Sequence, residues 1–132
     1  MKISETLSFL KYNTPSILWA VFILVLCLMP GRELPSLTIW EFDKIGHFGV
    51  YLILSMLMVY GWRKQKSFSF LHTKALLKIL LITSVYGFAV EVMQELFTTD
   101  RHFDMLDALA NSTGAVVGSF FSAIFIKNET EN

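Results

Sequence analysis

Three short stretches of the chain carry residue types that can do chemistry. "FDKIGH" sets Asp43 and His47 four residues apart with Lys44 between them, a spacing that puts the acid and the imidazole on one helical face. "EVMQE" holds Glu91 three residues before Gln94, with Glu95 beside it. "RHFDMLDALAN" supplies Arg101 and then Asp104, Asp107 and Asn111, whose spacings of three and four again define one face. A histidine among carboxylates can move protons, and Lys or Arg can meet a phosphate. Asp43, His47, Glu91 and Asp107 are therefore the catalytic candidates; Lys44, Gln94, Arg101, Asp104 and Asn111 are the binding candidates. Other chemistries lack their patterns: there is no Gly-rich phosphate loop, no H-E-x-x-H or Cys/His zinc spacing and no G-x-S-x-G elbow. Asp43, His47, Glu91, Asp104 and Asp107 are suitable donors for a mixed metal site. Their spacing is of no recognised kind, so neither a metal nor another cofactor is expected.

Each group also has a plainer reading. Asp104 and Asp43 are placed to cap helices, where the dipole favours acids, and Lys44 can simply lie at a membrane interface. His102, beside Arg101, reads as a solvated loop residue. Glu91 and Asn111 are harder to dismiss, because a polar or acidic group inside a membrane segment is costly unless paired or wet and by default marks function.

The elements that must position these residues follow from composition. The chain has 132 residues, 54% of them hydrophobic, with a mean hydropathy of +0.54. That leaves too little polar surface to cover a water-soluble domain of this size. Basic and acidic residues balance at 11 each, which argues against nucleic acid as a partner. The single Cys27 permits no intramolecular disulfide and reads as a packing residue. Four apolar segments, about 14–29, 45–62, 75–97 and 104–126, predict an all-α bundle of four transmembrane helices in one domain spanning 1–132. The first is read as a retained anchor, with Pro15 in its opening turn. The first two are short, and Leu10–Asn13 and Phe42–Gly46 can extend them.

Orientation follows from the basic residues. Lys2, Lys11, Arg63, Lys64, Lys66, Lys74, Lys78 and Lys127 fall on one side of this topology; Arg32, Lys44 and Arg101 fall on the other. Both termini and the "WRKQKSF" loop are expected in the cytoplasm, with the first and third loops outside. The three polar stretches then share the outer face, where Asn111 lies about two turns deep. His72 belongs to the cytoplasmic side. Gly114 and Gly118 form a small-residue stripe on the fourth helix that lets backbones approach closely; packing within the chain is the first reading and a homodimer through helix four the second. Tyr51, Tyr60, Tyr86, Trp40 and Trp62 read as belt or core aromatics.

Taken together, "LMPG" (Leu28–Gly31), "DKIGHFGVY" (Asp43–Tyr51), "YGFAVEVMQELF" (Tyr86–Phe97) and "RHFDMLDALANSTGAVVG" (Arg101–Gly118) resemble the VanZ-like family of membrane proteins over nearly the whole chain. Asp43, Lys44, His47, Glu91, Gln94, Arg101, Asp104, Asp107, Asn111 and Gly114 each match the family pattern. The family takes its name from a protein associated with teicoplanin resistance. The resemblance implies an integral protein of the bacterial cell envelope but no particular substrate. The functional expectation is an inner-membrane protein whose outward polar pocket binds or modifies an envelope lipid, a cell-wall precursor or a lipoglycopeptide antibiotic. An enzyme acting on such a lipid, with Glu91 or Asp107 as base, and a non-catalytic partner of a membrane complex are the rivals.

Overall fold

The computed structural model describes residues 3–30 and 40–126, and for residues 40–42 the backbone alone. Arg32 and Glu33 of the first loop, Gly31 of "LMPG", and the tail residues Lys2, Lys127, Glu129 and Glu131 lie outside the described residues, as do the side chains of Trp40 and Glu41.

Within the described residues the protein is all-helical. α1 spans Ile3–Leu28, α2 Trp40–Lys64, α3 Ala75–Phe97 and α4 Met105–Phe125, with one 3-10 turn at Ser69–Leu71. Each long helix has at least 21 residues, and about 20 suffice to cross the hydrocarbon core. All four are apolar enough to do so.

α1 begins well before the start expected at Thr14, so Pro15 lies inside the helix instead of in its opening turn. Proline there removes one backbone donor. Neighbouring side chains take up local carbonyls: Asn13 Nδ2 donates to Phe9 O at 2.9 Å, Thr14 Oγ1 to Leu10 O at 2.6 Å and Ser16 Oγ to Asn13 O at 2.8 Å. In lipid such bonds let a helix tolerate proline, because no water competes for the backbone.

The helices run alternately up and down, and α2 touches all three others, α4 most extensively. The reason lies in α4's small residues. A methyl group built on Gly114 would overlap the Phe48 carbonyl, and one on Gly118 would overlap the Leu52 carbonyl and Ser55 Oγ. Only a bare Cα lets the α2 backbone come this close. The small-residue stripe is thus spent on packing within the chain.

Polarity is distributed inside out. Ser55, Thr83, Glu91, Gln94, Asn111 and Ser119 are buried, while Leu18, Val21, Leu81, Val85, Leu109 and Phe120 are exposed. A water-soluble bundle sorts these the other way; a bundle immersed in hydrocarbon does not have to. Apolar packing centres on two clusters, one of Ile23, Cys27, Tyr51, Leu54 and Val90, the other of Val59, Trp62, Leu71 and Ile79. Cys27 is a buried packing residue.

The two ends of the bundle differ in charge. The α2–α3 end holds Arg63, Lys64, Lys66, Lys74 and Lys78. Here Arg63 donates to the carbonyls of Ala123 and Ile126 at the end of α4, Gln65 closes the loop through Phe68, and Ser67 Oγ reaches Glu5 O at 2.6 Å. At the opposite end Asp43, Glu91, Glu95, Asp100, Asp104 and Asp107 gather.

Candidate functional site

The acidic end is built by the first turns of α2 and α4 and the last two turns of α3. Asp43 and His47 stand one helical turn apart on α2; Glu91 and Gln94 share a face of α3. Asp104 caps α4, its Oδ1 accepting from Leu106 N–H at 2.7 Å. Asp107 and Asn111 follow down the same face. With a rise of about 1.5 Å per residue, Asn111 and Glu91 each lie about 9 Å inside their helix ends.

His47 is the centre. It is 5% exposed, and its two ring nitrogens face different partners. Nδ1 lies 3.0 Å from Asn111 Oδ1 and 3.4 Å from Glu91 Oε1. Nε2 lies 3.8 Å from Asp43 Oδ1 and 3.7 Å from Asp107 Oδ2. Lys44 bridges the two acids of α4, at 2.8 Å from Asp104 Oδ2 and 2.5 Å from Asp107 Oδ1. Arg101, from the α3–α4 connection, brings Nη2 to 3.8 Å from Asp43 Oδ1. Exposure falls with depth: the Asp43 side chain is 52% exposed, that of Lys44 17%, that of Asp107 8%, and Glu91 is fully enclosed. The cluster is a graded path from the end of the bundle to its interior.

Asp104 shows how one carboxylate serves two roles. Oδ1 caps the helix while Oδ2 takes the lysine. The Lys44 ammonium, followed by the Leu106 N–H, holds its carboxyl below the usual range, because both favour the charged form.

Eight of the nine candidate residues join one polar cluster. The exception in direction is Gln94, whose amide donates to the Cys27 carbonyl of α1 at 3.0 Å and ties two helices together. His102 is exposed and pairs with Glu95 Oε2 at 3.4 Å. Glu95 also accepts from Phe103 N–H at 2.8 Å, latching the α3–α4 turn.

Two residues of the site carry no obvious chemical signal in the sequence. Gly87, one turn before Glu91, leaves the space that Asn111 and the Tyr51 ring fill. Tyr51, one turn after His47, is wholly buried, and its hydroxyl meets no hydrogen-bond partner among the described residues. Their signal is positional, a spacing of four from Glu91 and His47, and it becomes readable only once those two residues are central. Among the described residues, both Glu91 oxygens and Asn111 Nδ2 make no hydrogen bond of good geometry, although the two side chains are neighbours, a costly state for buried polar atoms.

A separate cavity of about 380 Å³, lined by Thr6, Phe9, Trp62, Phe68, Phe70 and Leu71, lies at the basic end. It is apolar and remote from every carboxylate of the cluster, so it belongs to a different part of the molecule.

A four-helix membrane bundle with an acid–imidazole cluster at one end is the class these features define. The chain belongs to the VanZ/LLP1 family, whose model matches residues 3–126. No curated protein and no solved structure matches it.

Proposed function

We propose that this multi-pass protein resides in the bacterial cytoplasmic membrane with both termini inside, and that its acidic end faces outward to engage the polar head of an amphiphile. The class comprises an envelope lipid, a lipid-linked cell-wall precursor and a lipoglycopeptide antibiotic such as teicoplanin. The carrying observation is the depth gradient from exposed Asp43 to enclosed Glu91, flanked by Lys44 and Arg101. A head group at the bundle end meets hydrogen-bonding acids and two cations there, while its tails lie along Leu109, Val116 and Phe120. The excess of Lys and Arg at the opposite end supports the orientation.

Asp43→Asn, Glu91→Gln and Asp107→Asn are expected to abolish the envelope phenotype of the wild-type gene, read as antibiotic susceptibility and lipid profile, while membrane insertion persists. Full activity of all three variants at equal expression defeats the reading.

A second reading, an enzyme acting on the same amphiphile, is favoured by one feature: His47 stands between Glu91 on one nitrogen and Asp107 on the other. Such an acid–imidazole–acid chain suits proton transfer. A deletion strain then accumulates a substrate lipid and lacks its product; an unchanged profile counts against catalysis. A partner subunit of a membrane complex would need a surface other than the Gly114–Gly118 stripe, which α2 covers.

A further inference from the structure

We infer that Asp43, His47 and Asp107 form a binding site for one divalent transition-metal ion of the zinc or manganese class. One ligand atom from each of the three lies within 4.8 Å of the others. An acidic cluster alone would not single out a metal; the imidazole does. Nδ1 lies 3.0 Å from Asn111 Oδ1, and that contact is a hydrogen bond in the tautomer whose proton sits on Nδ1. The Nε2 lone pair then points at Asp43 Oδ1 and Asp107 Oδ2, at 3.8 and 3.7 Å. These distances are too long for hydrogen bonds. Three acceptor atoms face one another, and a cation, Arg101 Nη2, stands 3.8 Å from one of them, Asp43 Oδ1, so a metal ion between them would be held at closer range. Ligands about 2.1 Å from a tetrahedral ion sit about 3.4 Å apart, so the two edges at His47 need a contraction of a few tenths of an ångström, while Asp43 and Asp107 start within 4.8 Å of each other.

The surroundings fit an ion as well. Lys44 takes Asp107 Oδ1 and leaves Oδ2 toward His47. Asn111 Oδ1, 3.0 Å from Nδ1, stands behind the imidazole where a metal-binding histidine usually has its orienting acceptor, with enclosed Glu91 beside it. One nitrogen and two oxygens suit zinc or manganese. Three protein ligands leave a position for water or a phosphate oxygen. The three ligands come from two helices and belong to the mixed donor set that the sequence offers at no recognised spacing.

The test uses the full chain purified in mild detergent, stripped with chelator and titrated with Zn²⁺ and Mn²⁺ by calorimetry, with bound metal counted by elemental analysis. The wild type is expected to take up about one ion per chain. His47→Ala and Asp43→Asn should weaken binding at least about tenfold; Asp43 is exposed, so its variant preserves the fold. The Glu95→Gln/His102→Ala double variant should bind as the wild type does. Co²⁺ should give visible bands that His47→Ala loses. A wild type that takes up no ion, or whose affinity survives both ligand substitutions, overturns the proposal, as does loss of binding on removing the Glu95–His102 pair. No amphiphile is present in this measurement, so ion uptake without any mutant phenotype in cells would sink the head-group reading alone.

Discussion

Asp104 is the residue whose energetics are most open to measurement. Its carboxylate caps α4 and holds Lys44; the ion pair needs the charged form and the cap is strengthened by it. Asp104→Ala should therefore cost about 1 kcal/mol for the lost cap, within a usual range of about 0.5–2. Its pH dependence has a definite sign. The folded-state carboxyl titrates below its ordinary value of 3.8, so its stabilisation is fully present above that value and is lost as pH falls through the folded-state value. Thermal unfolding of wild type and Asp104→Asn in detergent should show a gap at pH 6 that narrows below about pH 4. A gap independent of pH would mean that the charge contributes nothing. At His47 direction matters more than energy: which nitrogen meets which acid determines whether the ring relays a proton, holds a cation or merely packs.

At the scale of elements, the α2–α4 contact depends on two glycines and ignores two others. A methyl at Gly114 or Gly118 runs into α2 backbone, which cannot swing aside as a flexible side chain would. Gly114→Ala and Gly118→Ala should each destabilise by about 1–3 kcal/mol, as overpacking does. At Gly46 and Gly49 a methyl would meet nothing within 4 Å among the described residues. Alanine at either should be neutral or should stabilise α2 by up to about 1 kcal/mol, through the higher helix propensity of alanine. Detergent unfolding midpoints of the four variants check this, and a uniform loss across all four would contradict the close-approach account. The Gly114 variant should also disturb the site, since Phe48 follows His47 directly.

For the whole molecule, the charge separation between the two ends is the feature with a physiological reading. Lys66→Cys should resist a membrane-impermeant maleimide in intact cells and react after permeabilisation, while Thr99→Cys should react in intact cells. The reverse pattern would turn the acidic end toward the cytoplasm and undo the envelope reading. A reporter fused after Asn132 should agree with the Lys66 result.

Much of this architecture is legible in the chain. Four apolar runs, the first two reaching bilayer length only with their flanks, dictate four helices, because hydrocarbon leaves the backbone no partner but itself. Alternating direction then brings "FDKIGH", "EVMQE" and "RHFDMLDALAN" to one end: α2 and α3 carry the chain away and back between the first two, and no crossing separates the last two. Spacings of three and four select the face each presents. What the chain could not state is lateral and atomic. Gln94 shares a face with Glu91, yet its amide turns to Cys27 of α1. Asp104 reads equally well as cap or ligand, and the structure uses one oxygen for each. The start of α1 is hidden in the sequence because Pro15 resembles a first-turn residue, whereas side-chain bonds from Asn13 and Thr14 sustain the helix around it. Helical period and hydropathy are properties of one segment and can be read from it. Which backbone lies against Gly114, and which nitrogen of His47 faces which carboxylate, depends on how closely separate segments approach, and only tertiary packing decides that.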